Sequence, residues 1–160
     1  MFKVGDLAVY PAHGVGIIEA IENKDIMGCI QPFYVMKILG NNMKIMIPQH
    51  GAQSVGLRGL ITKEEIPRVY DILKERDVTV DKQTWNKRYK EYWEKIKTGS
   101  AYEIAKVLRD LLRLKVDKDL SFGERKMMDT AKNLLVKEIS IASNLEEIRI
   151  EKDLNAIFSM

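Results

Sequence analysis

One cysteine, two histidines and four prolines are all that this 160-residue chain holds of those residue types. The lone Cys29 excludes an internal disulfide and a thiolate cage for a metal, which makes the reducing cytoplasm the expected compartment. His13 and His50 each stand beside a glycine in an expected turn or loop, where a hydrogen-bonding role suits them. No HxxxH, CxxC, GxGxxG or GxxxxGK[ST] spacing occurs. Ser54 and Ser121 have no His/acid partner legible in the sequence. The chain is therefore expected to be no enzyme and to need no cofactor or metal. No apolar run approaches the roughly 18 residues of a spanning helix. The start, MFKVGD, lacks the apolar segment of a signal peptide, so no membrane partner is expected. Internal repeats and low-complexity segments are also missing.

What remains is a composition of 46% hydrophobic and 31% charged residues, that of a soluble globular protein with room for one ordinary domain or two small ones. The net charge of +3 is too small to mark a nucleic-acid binder. Its distribution says more. Residues 1–66 carry 6 basic and 6 acidic residues, residues 82–115 carry 10 against 4, and residues 116–160 carry 7 against 9. The basic excess lies in one segment.

The first sixty residues read as short strands. Val4, Leu7, Val9 and Tyr10 begin an extended stretch that Pro11-Ala12-His13-Gly14 turns, and Val15 to Ile21 returns. Phe33 to Leu39 makes a third strand, Gly40-Asn41-Asn42 a tight turn, and Met43 to Ile47 a fourth. Pro48 ends it by removing a ladder donor. A fifth is expected near Val55 to Ile61. Cys29 falls in the expected loop between strands two and three. Such spacing implies a small antiparallel barrel or strongly bent sheet.

The hydrophobic period then changes from 2 to 3.6 near residues 62–67. Pro67 opens a helix to Arg76, a break follows at Asp77–Asp81, and a second helix runs from Lys82 to Lys97. Ser100…Glu103, Ser121…Glu124 and Asn144…Glu147 read as capping boxes opening three more. These would bury Ile104, Leu108, Leu111 and Leu112, then Met127/Met128, Ala131, Leu134/Leu135 and Ile139, then Ile148, Leu154, Ile157 and Phe158. The expected fold class is α+β, a β module over residues 1–62 followed by about five helices over residues 67–160.

The basic segment also holds both tryptophans, in TWNKRYKEYW. Trp85, Tyr89, Tyr92/Trp93 and Ile96 share a helical face, with Lys87, Arg88 and Lys90 beside its first turn. Rings next to phosphate-seeking cations suit a disrupted base step in nucleic acid. An aromatic stripe at this spacing is more often core. Trp85 stands apart by its place near the helix start, where a ring can protrude, whereas Trp93 is expected in the core. A protein-interaction adaptor with Trp85 buried, or an enzyme using a groove between the modules, remain as alternatives.

KVGDLAVYPAHGVGIIEAIE, SVGLRG, TWNKRYKEYWEKIKTG, AYEIAKVLRDLLRLKVDKDLSFGERKMM and AKNLLVKEI, in that order to about residue 142, closely resemble the CarD/CdnL family of bacterial transcription factors. The resemblance implies a Tudor-like RNA-polymerase-interacting β-barrel, of the kind also found in transcription-repair coupling factors, and then a helical DNA-binding domain. It implies that Trp85 is a wedge entering the minor groove at the upstream edge of the transcription bubble. Lys87, Arg88 and Lys90 match the basic residues around that wedge, and Arg125 with Lys126 match a second pair facing the DNA backbone. Lys24 matches a position that presents a basic residue to the polymerase β subunit. Met46 stands where some members have a basic residue. The implied partners are the polymerase β subunit and promoter DNA, contacted without sequence preference by a monomer in the cytoplasm. Residues 144–158 match the family least.

Overall fold

Alternation of apolar and polar residues builds the first half of the chain. The computed structural model describes residues 2–75, 85–117 and 119–158, the side chains of Trp85, Asn86, Val116, Asp117 and Phe158 excepted. Four strands, β1 (Leu7–Tyr10), β2 (Gly14–Ile26), β3 (Cys29–Ile38) and β4 (Lys44–Pro48), pair antiparallel in chain order as an open half-barrel. Ala8, Ile18, Tyr34, Met36, Ile38 and Ile47 point inward, and Ala52 and Leu57 close the cluster from the following loop. The Tyr34 hydroxyl is not wasted there, because it accepts the Phe2 N–H at 3.1 Å while the two rings meet edge to face.

Two features depart from the expected strand pattern. The segment expected as a loop between strands two and three is a hairpin arm, with Glu22↔Phe33 through Ile26↔Cys29 in register. Met27 and Gly28 both take positive φ, 53° and 85°, the two-residue turn that matches strand twist. Asp25 Oδ1 accepts the Gly28 N–H at 2.9 Å and pins that turn. Ile26 and Ile30 are exposed, so the arm has no buried side whose alternation would have revealed it. Cys29 therefore opens β3 instead of lying in a loop. The expected fifth strand reduces to one bridge, Val9↔Arg58, on the outer edge of β1.

The chain divides into compact units 1–60 and 61–160. Ile61, at the start of the second unit, is buried and donates its N–H to the buried Glu138 carboxylate at 2.9 Å. That unit contains α1 (Ile66–Lys74), α2 (Trp85–Lys97), α3 (Ala101–Asp117), α4 (Phe122–Ser143) and α5 (Glu147–Phe158). Arg76, the Asp77–Asp81 break and the Lys82 helix start lie outside the described residues. Helix α3 packs against α1, α2 and α4, and α5 packs against α4 and α1. Val69 and Leu73 of α1, Ile104, Leu108 and Leu111 of α3, and Leu135 and Ile139 of α4 fill the interior. Arg109 adds a polar tie: its Nη1 meets Glu75, just beyond α1, at 2.6 Å, and its Nε meets Asp110 at 3.0 Å.

The caps are mixed. Ser121 and Glu124 form the full reciprocal box at the start of α4. Ser100 Oγ accepts the Glu103 N–H at 3.5 Å before α3. Asn144 instead ends α4: at φ 57° it is left-handed, with its own N–H bonded to the Ile141 carbonyl and the Leu145 N–H to that of Ser140. This is the Schellman arrangement, and Asn serves it because its short polar side chain tolerates positive φ. Helix α5 consequently begins later and turns Ile150 and Leu154 inward, leaving Ile148, expected in the core, 57% exposed.

Gly16 tests the sheet. A Cβ there would lie 2.7 Å from the Lys37 carbonyl oxygen and 2.7 Å from the Met36 methyl carbon. Gly16→Ala is expected to lose about 1–3 kcal/mol of stability by overpacking, read as a lower urea midpoint at unchanged slope.

Candidate nucleic-acid interface

Helix α2 sorts its side chains by height on the helix. Tyr92 and Ile96 are buried, and burial pushes the Tyr92 phenol up to about 12, with the Asp110 carboxylate adding to the rise and Arg88 opposing it. One turn before Tyr92 on the same side sits Arg88, and it is only 7% exposed. The guanidinium expected to flank a DNA wedge is therefore buried in this structure. Its Nη2 is 3.9 Å from Oε2 of Glu124, whose side chain is 2% exposed. Glu124 Oε1 accepts the Ser121 N–H at 3.1 Å, and Ser121 Oγ accepts the Glu124 N–H at 3.2 Å. A single carboxylate thus caps α4 and lies 3.9 Å from a guanidinium of α2.

The remaining expected cations stay outside. Lys87 and Lys90 on α2 and Arg125 and Lys126 on α4 are exposed. Each basic pair sits within two residues of Arg88 or Glu124 in the sequence. Arg125 also lines a cavity of about 530 Å³ with Lys115, Asp119, Leu120 and Met128. Trp85 is the first residue of α2; its side chain, on which the wedge expectation falls, lies outside the described residues.

A second aromatic feature departs from the expectation that Trp93 belongs to the core. Trp93 is partly exposed, with Tyr92 taking the buried place beside it. Tyr89, 44% exposed, stacks on Trp93 with ring centroids 6.5 Å apart and planes 12° from parallel. Lys97 Nζ sits 5.9 Å from the Trp93 ring centroid. The signal is present in the spacing, since residues 89, 93 and 97 follow one another at i, i+4.

In the β unit, Lys24 is exposed on the hairpin arm, paired in register with Gln31. Met46 lies on β4, opposite Val35, and is 37% exposed. Strand β4 ends the sheet order, and among the described residues no further strand pairs with its outer edge. Among the described residues no group of three or more His, Cys, Asp or Glu could hold a metal, and no helix is long and apolar enough to cross a membrane.

Residues 2–61 match the model of the CarD-like/TRCF RID domain, and residues 68–155 match that of the CarD C-terminal domain. YdeB of Bacillus subtilis (strain 168), named for a proposed role as a transcription factor, is 38% identical over 153 residues, covering 94% of this chain and 98% of its own. The solved structure of CdnLNt from Myxococcus xanthus is similar at 51% identity, covering 39% of this chain and 89% of that one, with a TM-score of 0.34.

The buried pair and its exposed neighbours should separate cleanly on mutation. Arg88→Met leaves the Glu124 charge buried and is expected to cost about 3–5 kcal/mol in urea unfolding. Adding Glu124→Leu should recover part of that loss, whereas Lys87→Met should stay within about 0.5 kcal/mol of the parent.

Proposed function

Since this chain belongs to the CarD/CdnL family and is a CarD-like transcription factor, we propose that it docks on the RNA polymerase β subunit and stabilises the open promoter complex. The observation that carries this reading is the start of α2, where Trp85 is the first residue and the exposed Lys87 and Lys90 follow within five positions. Promoter opening unstacks a base pair and exposes an apolar step at the upstream fork. A Trp85 ring entering the minor groove there would replace lost stacking, worth about 1–3 kcal/mol for each ring–base contact. Only the preference for the open fork over closed duplex shifts the equilibrium. About 1.4 kcal/mol of such preference changes the open-to-closed ratio tenfold.

Lys87, Lys90, Arg125 and Lys126 hold the ring in register through phosphates and read no sequence. Their own affinity is low, so the β unit acts as the anchor that raises effective concentration at promoters. In that unit the β4 edge offers strand addition to a sheet of the partner, with Lys24 and Met46 contributing side chains. Met46 makes this contact apolar where a basic residue would make it ionic. The protein works as a monomer in the cytoplasm, with no catalytic step of its own.

Trp85→Ala is expected to melt close to the parent protein, to bind polymerase normally, and to shorten the open-complex lifetime about tenfold. A well-folded variant with an unchanged lifetime would leave an adaptor that does not touch DNA. Charge reversal of Lys87, Lys90 and Arg125 should weaken DNA binding on any sequence. The log–log salt slope should flatten by about 2–3 units, near 0.9 for each phosphate that is no longer neutralised.

A further inference from the structure

Around the axis of α2, Tyr89, Trp93, Lys90 and Lys97 fall within one sector of about 100°. Glu91 and Glu94 lie outside that sector, so it holds two rings and two ammonium groups and no carboxylate. Tyr89, Lys90 and Lys97 are exposed and Trp93 is partly so. The rings are already stacked nearly parallel, and Lys97 stands against the Trp93 face. Arranging them on a ligand therefore costs little rotamer entropy. From Tyr89 to Lys97 the row spans about 12 Å of helix, the rise of three to four stacked nucleotides.

Resting on the DNA-binding reading above but distinct from the wedge, we infer that this face is a second DNA contact. Tyr89 and Trp93 pack on an unstacked base or deoxyribose of one strand, and Lys90 and Lys97 meet the flanking phosphates. Alternating apolar rings and cations match the alternating sugar and phosphate of a DNA strand. The same face would be a poor seat for an acidic protein surface, where the rings would desolvate carboxylates without pairing them.

The chain has two tryptophans, so in Trp85→Phe the only indole is Trp93. The full-length variant is titrated with a dye-labelled forked duplex, following Trp93 emission and the anisotropy of the labelled DNA together. Trp93 emission is expected to fall in step with binding. In the same background Tyr89→Ala should weaken affinity at least fivefold, Tyr89→Phe should remain within twofold, and Lys97→Gln should flatten the salt slope by about one unit. DNA binding with unchanged Trp93 emission, or an unaffected Tyr89→Ala that melts like the parent, would overturn the second contact and leave the wedge reading standing. Absence of any DNA binding by the parent protein and by Trp85→Phe would overturn both.

Discussion

The buried contact between Arg88 and Glu124 is the constraint on which the proposed interface rests. A carboxylate taken out of water must be compensated, and Glu124 has the Ser121 N–H on one oxygen at 3.1 Å and the guanidinium of Arg88 3.9 Å from the other. The first partner fixes where α4 begins. The second brings one residue of α2, which packs mainly on α3, to within 3.9 Å of that carboxylate. Lys87 and Lys90 on α2 and Arg125 and Lys126 on α4 are the exposed neighbours of that pair in the sequence. Surface ion pairs and long side chains such as theirs hold geometry poorly.

The two units solve different problems. The β unit has balanced charge, a small apolar core and a strand that ends the sheet order, features that suit shape recognition through backbone hydrogen bonds. The helical unit keeps its basic excess on α2 beside aromatic rings, which suits phosphate and base faces. In the proposed function the protein partner would supply location and the nucleic-acid contact would read only charge and stacking, so such a division would suit a polymer of any sequence.

Local signals in the chain succeed where one residue has one role. The Ser121…Glu124 spacing announces its capping box, and Pro67 announces the first turn of α1. Thr62…Glu65 carries the same spacing as Ser121…Glu124, and Glu65 Oε1 indeed accepts from the Thr62 N–H at 3.0 Å, although it falls where the hydrophobic period changes and neither pattern is clear. Asn144 satisfies the pattern of an N-cap yet serves as a left-handed terminator, because a short polar side chain suits either end of a helix. The hairpin arm at residues 22–32 is illegible in the sequence, since both its faces are open and its residues have no reason to alternate.

Composition and spacing were enough to establish an α+β chain with a strand-rich front, a helical remainder and a basic aromatic segment, since each of these depends on periodicity and counts alone. Which ring on α2 is buried was beyond them. At 3.6 residues per turn Tyr92 and Trp93 are adjacent candidates for one slot, and packing against α3 chose Tyr92. Likewise Arg88 looks in sequence like its neighbours Lys87 and Lys90. It is nonetheless an interior residue, with a buried carboxylate 36 positions later lying 3.9 Å from its guanidinium, a proximity that no local pattern in the sequence displays.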